Sequence, residues 1–356
     1  MQIRAGFART GVRSRRFDRR AGWLFSFLLV FCLALPVCSA QESIVLVGSG
    51  ASLPAPLFAK WAEQYNRRNP KIQMRYIPLG TSQGIKQISH GSGDFAAGEA
   101  PLTAQERAAG GLIEVPALLI GIVPIYNLPG LHGELRFSGA VLAEIFLGQV
   151  KTWSSPSIAR LNPNLTLPDM PIKVVYRPAG KGSNYVFSDF LSKSSSQFRT
   201  EIGTSPSPEW PVGTPAERSS DMADKVKTAP GSIGYVEAQY AVKMHIPYAS
   251  VLNPAGHFVK ASEDTISAAC IGVEEPGWNR LSASLTNAPG AESFPIVSFT
   301  WLYLRTVSRD PARAAALSDL LNWIFSDGQR IASQDGYSEL PLPLLEKVKN
   351  QISSLR

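Results

Sequence analysis

Three short polar turns hold the side chains best placed for chemistry in this sequence. The first, Gly48-Ser49-Gly50-Ala51-Ser52, offers Ser52. The second, Gly80-Thr81-Ser82-Gln83-Gly84, offers Thr81 and Ser82. The third, Arg177-Pro178-Ala179-Gly180-Lys181-Gly182-Ser183, joins the Ser183 hydroxyl to two cations, Arg177 and Lys181. Each turn follows an apolar run and precedes a helical pattern. A helix N-terminus presents free N–H groups and a partial positive charge, which suits an anion. A single turn of this kind is usually only an N-cap, but three in one chain, one with two cations, favour an anion site. Ligands of open α/β sheets sit at the carboxyl ends of the strands, where these turns fall. Glu99, next to Gly98 at the end of another apolar run, reads either as an acceptor for a protonated anion or as a solvated turn residue.

Other chemistries fit poorly. Gly180-Lys181-Gly182-Ser183 departs from a Walker loop, because Val175 stands where its first glycine belongs and Gly182 where its hydroxyl belongs. His90, His132, His245 and His257 lack metal-ligand spacing. The expectation is a binding protein with no cofactor and no catalytic residue.

The elements that must position these turns alternate between strand and helix. Ile44–Val47 reads as a buried strand, and Leu57, Phe58, Trp61, Ala62 and Tyr65 recur at helical spacing behind Pro54. Ile72, Met74 and Tyr76 alternate with polar residues as a strand does. Ile85 and Ile88 mark a short helix, and Phe95-Ala96-Ala97 a third strand. Thr103 and Glu106 form a capping box. Val115–Ile125 and Phe294–Leu304 are apolar runs suited to buried crossings, and Ser138–Phe146 and Ala312–Phe325 are amphipathic. Lys173–Tyr176 is a strand before the third turn, and Pro230-Gly231 leads into another that ends at Glu237. The Ser- and Pro-rich stretch 194–220 is too long for a turn and reads as a packed excursion. The pattern is that of an α/β protein.

The charge balance excludes one partner class. The chain has 356 residues and a formal charge of +7, but residues 1–40 hold seven arginines and one acid, Asp18. The remainder has 28 basic and 27 acidic residues, and a nearly neutral body argues against nucleic acid. Residues 1–40 read as a secretory signal: a basic stretch from Arg4 to Arg20, an apolar one from Ala21 to Val37, and Cys38-Ser39-Ala40 before Gln41. Arg15-Arg16 is followed by Phe17-Asp18, a poor match to twin-arginine export, and Val37 is bulky for lipidation at Cys38, so cleavage near Ala40 is favoured over either. Cys270 then stands alone in an apolar run, so the mature chain has no internal disulfide and depends on its core.

Taken together, these segments resemble a known family. Gly48 to Pro56 with Ala59-Lys60-Trp61, Gly84 to Ile88, Asp94 to Leu102, and Leu147-Gly148 through Trp153 to Leu161-Asn162-Pro163 are similar to periplasmic phosphate-binding proteins of ABC transporters. The Arg177 loop and Ile233-Gly234-Tyr235-Val236-Glu237 continue the similarity in order. The resemblance implies an α/β, two-lobed periplasmic-binding-protein fold, type 2-like, with two crossover hinge segments. Residues 41–121 and 293–356 would form lobe 1, and residues 122–292 lobe 2. It implies capture of inorganic phosphate between the lobes, delivery to an ABC permease in the inner membrane, a monomer and a periplasmic location.

The implied ligand set is Ser52, Leu53, Thr81, Glu99, Arg177, Lys181, Gly182 and Ser183. Ser52 and Leu53 would donate N–H groups, Ser52 and Thr81 hydroxyls, Arg177 the charged clamp, and Gly182 and Ser183 further donors. Glu99 would accept from the phosphate proton. The sequence departs from the family pattern in three places. Glu99 replaces an aspartate, Ala179 replaces the acid that pairs with the arginine, and Lys181 replaces a serine. Two readings of Lys181 follow: its amine touches the anion, or it points to solvent and gives only its backbone N–H. Rival functions are a secreted phosphatase or phosphoester-binding enzyme on the same scaffold, and a non-transport oxyanion sensor.

Overall fold

The computed structural model describes residues 43–271, 284–307 and 310–353. The leader and its cleavage near Ala40 lie outside the described residues.

Strand β1 (Ile44–Gly50) runs into helix α1 (Ala55–Arg68), β2 (Ile72–Pro78) into α2 (Thr81–Ser89), and β3 (Phe95–Gly98) towards α3 (Ala104–Gly110). The apolar face of α1 buries Leu57, Phe58, Trp61 and Tyr65, and Asn69 caps its end. Thr103 and Glu106 form the reciprocal capping box at α3. Strand β4 (Leu112–Tyr126) is buried almost throughout, which explains its unbroken apolar sequence. After β5 (Arg136–Phe137) and α4 (Gly139–Phe146), β6 (Lys173–Tyr176) leads to α5 (Gly182–Ser194). Then come β7 (Thr214–Pro215), α6 (Ser219–Thr228), β8 (Ser232–Glu237), α7 (Ala238–Lys243), β9 (Ser250–Leu252) and β10 (Phe258–Val259). Helix α8 (Glu263–Ile271) precedes β11 (Val297–Arg305), and α9 (Pro311–Trp323) follows it.

Eight strands form one sheet in the order β2-β1-β3-β11-β4-β8-β6-β7. Strand β4 joins its two halves. Leu112 to Gly121 pair with β11, and Ile122 to Tyr126 pair with β8. The change of partner falls between Gly121 and Ile122, where Ile122 N–H also donates to the Ile296 carbonyl at 2.9 Å. Strands β1, β2 and β3 are parallel on one side, and β6 and β8 are parallel on the other. The carboxyl ends of these strands therefore gather Ser52, Thr81, Glu99, Arg177 and Glu237.

Large side chains fill both halves of the core, among them Trp61, Trp153, Trp301, Phe146 and Phe187. Full burial of an apolar side chain stabilises by roughly 1.5–3 kcal/mol, and the described residues hold no disulfide beside it. Cys270 is buried in α8, and burial pushes its thiol up to about 12, as suits an inert packing residue. Among the described residues no helix is long and apolar enough to cross a membrane.

The structure revises the sequence reading in two places. The second and third polar turns are not turns throughout: α2 already begins at Thr81 and α5 at Gly182, so Thr81 and Ser183 lie in first helical turns. The 194–220 stretch is packed, but it also contains a helix, Ser196–Glu201, capped by Ser195, and the short strand β7. Trp210 anchors this stretch against Phe146, Phe187, Phe198 and Tyr235.

Candidate functional site

The site forms where the two halves of the sheet face each other. From the first half come Ser52, after β1, Thr81 at the start of α2, and Glu99, after β3. Gly50 holds a positive φ of 133°, and a Cβ there would lie 2.1 Å from the Ala97 carbonyl oxygen. Only glycine lets β1 turn this close to β3 and deliver Ser52. Glu99 is fully buried; Thr81 Oγ1 donates to its Oε2 at 3.0 Å, and Ser298 Oγ donates to its backbone carbonyl at 3.2 Å. Tyr303 donates to the neighbouring Ala100 carbonyl, fixing the chain behind the carboxyl group.

From the second half comes the Arg177 loop. Arg177 N–H donates to Tyr235 Oη at 3.1 Å. Tyr235 donates to Asn184 Oδ1, and Asn184 Nδ2 donates to the Arg177 and Pro178 carbonyls at 3.0 and 2.8 Å. This closed set of bonds holds the loop while the guanidinium reaches across. Arg177 Nη2 donates to Ser52 Oγ at 3.3 Å, and Arg177 is only 2% exposed.

The two halves touch closely. Ser82 N–H donates to the Gly180 carbonyl at 3.3 Å. A Cβ on Gly182 would meet Glu99 Oε2 at 1.9 Å and Thr81 Oγ1 at 2.6 Å. Position 182 is thus occupied by the one residue that lets the third turn seat on the Thr81–Glu99 pair. Thr81, Ser183 and Ser219 all lie in the first turns of helices, so positive helix ends converge here.

Within this cluster, Glu99 Oε1, Arg177 Nε, Ser183 Oγ and Glu237 Oε2 are buried without a hydrogen-bond partner among the described residues. An unsatisfied buried polar atom costs on the order of 1–3 kcal/mol. Several converging at strand ends are groups that a polar ligand could satisfy.

The electrostatics are unusual. Burial, reinforced by the charge of Glu237, pushes the Glu99 carboxyl up to about 8, against the Thr81 hydrogen bond and Arg177, which lower it. Burial pushes Glu237 up to about 7, with Arg177 and the Ser219 hydrogen bond opposing it. Burial also lowers Arg177, and Glu237 is the main group holding its charge. One guanidinium thus serves two buried carboxyls.

Of the residues singled out from the sequence, the structure brings together Ser52, Thr81, Glu99, Arg177, Gly182 and Ser183. Leu53 is buried beside Ser52. Lys181 is differently engaged: its amine lies 3.3 Å from Glu217 Oε2, and its N–H donates to the Pro206 carbonyl at 3.2 Å. Ser219 and Glu237 belong to the cluster but were not singled out. Glu237 shares with Glu99 the one available signal, an acid at the end of an apolar strand. Ser219 was hidden in the Ser-rich stretch.

The family model of the PBP superfamily domain matches residues 38–328. The phosphate-binding protein PstS of Xylella fastidiosa (strain 9a5c) is 33% identical over 315 residues, 88% of this chain and 86% of the relative. PstS of Pasteurella multocida (strain Pm70) is 34% identical over 87% of this chain and 90% of its own. Among solved structures, a putative phosphate ABC transporter substrate-binding protein with bound phosphate from Clostridium perfringens superposes with a TM-score of 0.61 at 17% identity, covering 83% of this chain and all of its own. A periplasmic phosphate-binding protein bound with phosphate (PfluDING) gives 0.66 at 18% identity, over 86% of this chain and 93% of its own. With the family model matching most of the chain and these relatives matched at a third identity over nearly their whole length, the chain belongs to the PBP superfamily and, within it, to the PstS phosphate-binding proteins.

Proposed function

We propose that this protein captures inorganic phosphate between two lobes and hands it to the permease of an ABC transporter. The observation that carries the reading is the set of buried, unpartnered polar atoms on Glu99, Arg177 and Ser183, which combines an acceptor, a cation and a hydroxyl. Residues 41–121 with 293–356 form one lobe and residues 122–292 the other. The change of partner along β4 at Gly121–Ile122 supports that boundary. Ser52, Leu53, Thr81, Arg177, Gly182 and Ser183 hold the anion through N–H groups, hydroxyls and the guanidinium, with Lys181 bracing the loop through Glu217. The protein works as a periplasmic monomer after its leader is removed, and no bond is broken.

Selectivity rests on a proton. Phosphate near neutral pH still carries one, and sulfate does not. A phosphate oxygen that bears a proton donates to an ionised Glu99. When Glu99 holds a proton of its own, as its raised value allows at neutral pH, it donates to a bare oxygen of the dianion, which keeps its proton. One proton shared between carboxyl and anion satisfies both. Sulfate meets an ionised Glu99 as a bare like charge, which costs several kcal/mol.

The reading is tested by uptake. Cells of the source organism that lack this gene should take up labelled phosphate poorly at low concentration, and the gene, but not its Arg177→Ala variant, should restore uptake. Unchanged uptake in the deletion strain would remove the transport role.

A further inference from the structure

The ligand set implied by the family pattern leaves Arg177 without its acid, because Ala179 stands at that position. The structure supplies another. Arg177 Nη1 lies 3.5 Å from Ser219 Oγ, and Ser219 Oγ lies 3.0 Å from Glu237 Oε1. An ionised carboxylate can only accept, so Ser219 donates to Glu237 and accepts from Arg177, and its hydroxyl is fixed in one sense. Glu237 ends β8 opposite Ile122, the residue at which β4 changes partners. The acid is thus anchored in the sheet rather than on the Arg177 loop. Resting on the phosphate reading above, we propose that Glu237, acting through Ser219, is the positioning residue that orients Arg177 towards the anion, in place of an acid at position 179.

A long, buried cation grips well only when its geometry is set beforehand. Ser52 takes Nη2 and Ser219 takes Nη1, which leaves Nε without a protein partner and available to the anion. The titratable groups around Glu237 are Arg177, Glu99 at the end of β3, Tyr240 on α7 and Tyr337 from the C-terminal segment. Glu217 and Asp221 act on Arg177 from outside the relay.

The experiment is calorimetric titration with phosphate of protein produced from the full-length chain with its own leader. Wild type is compared with Ser219→Ala, Ser219→Thr and Glu237→Gln. Loss of the relay should weaken phosphate about tenfold in Ser219→Ala, the size of one modest charge-assisted hydrogen bond. Ser219→Thr keeps the hydroxyl and should stay within a few-fold of wild type. Glutamine mimics the protonated acid, so Glu237→Gln should match wild type near about pH 6 and bind more weakly near about pH 9, where Glu237 is charged. Equal binding by Ser219→Ala and Ser219→Thr, or a wild-type to Glu237→Gln ratio that is flat with pH, would reduce the pair to a packing role. Tighter binding by Glu237→Gln at high pH would also overturn the proposal, since the carboxylate would then repel the anion rather than aim the arginine. Should Glu237→Gln not fold, the two Ser219 variants decide. A wild type silent to phosphate is a different failure, that of the phosphate reading itself.

Discussion

At the residue scale, the proposed selectivity rests on Glu99. Replacing it by glutamine keeps the shape but removes the ionisable acceptor. Phosphate should weaken by roughly 10- to 100-fold, the range of a hydrogen bond to a charged group, and the preference over sulfate should narrow; a competition titration checks both. The raised value of about 8 adds a pH signature. Below it Glu99 holds a proton that it can donate to sulfate, and above it the carboxylate repels sulfate. Sulfate binding should therefore fall as pH rises through about 8, with phosphate falling less; parallel loss of both anions would detach Glu99 from selectivity. Much of this was legible beforehand, because Ser52, Thr81, Glu99, Arg177 and Ser183 follow apolar runs in turns that suit helix starts. Ser219 was not, since one serine in a Ser-rich stretch carries no periodic signal. Nor was the engagement of Lys181 by Glu217, because the two are far apart in sequence and only the folded loops bring them to 3.3 Å.

At the scale of elements, two helix starts must meet across the cleft. Gly182→Ala would place a methyl group against Glu99 and Thr81. Overpacking of this kind costs about 1–3 kcal/mol, or roughly 5- to 150-fold in affinity. Binding proteins of this kind close around their ligand by a hinge, so the clash should weigh on the phosphate-bound form: the melting temperature without phosphate should stay near that of wild type while the stabilisation by phosphate shrinks. Thermal melts with and without phosphate separate this from general damage. Lys181→Ser should leave the salt dependence of phosphate binding unchanged, because Glu217 already holds the amine; a shallower salt slope would show that the amine reaches the anion. Long periodic elements such as α1 and the apolar run of β4 were readable because burial imposes their spacing. The helix Ser196–Glu201 and the early start of α2 were not. They open on Ser195-Ser196 and Gly80-Thr81-Ser82, residues that serve turns and helix caps equally well, and tertiary packing settles which.

At the scale of the molecule, the buried carboxyls tie stability to pH. Glu99 and Glu237 have folded values of about 8 and 7, raised above the ordinary glutamate value. The folded state therefore binds more protons than the unfolded one, and phosphate-free protein should lose stability as pH rises from about 5 to about 8. Thermal melts across that range should show the decline, with a smaller one in Glu99→Gln; a flat profile would mean that the carboxyls are ionised at little cost. Saturating phosphate should raise the melting temperature at every pH, because it binds only the folded state. The central claim, that the cleft is a selective phosphate trap, is met most directly by a calorimetric titration of protein stripped of bound anion by unfolding and refolding. Phosphate is titrated first, and sulfate into a fresh sample. Phosphate should bind tightly, one to one, and sulfate should give no heat at alkaline pH. Silence with phosphate, or equal binding of sulfate, would contradict it, and would mean that Glu99, Ala179 and Lys181 have turned the site towards another anion.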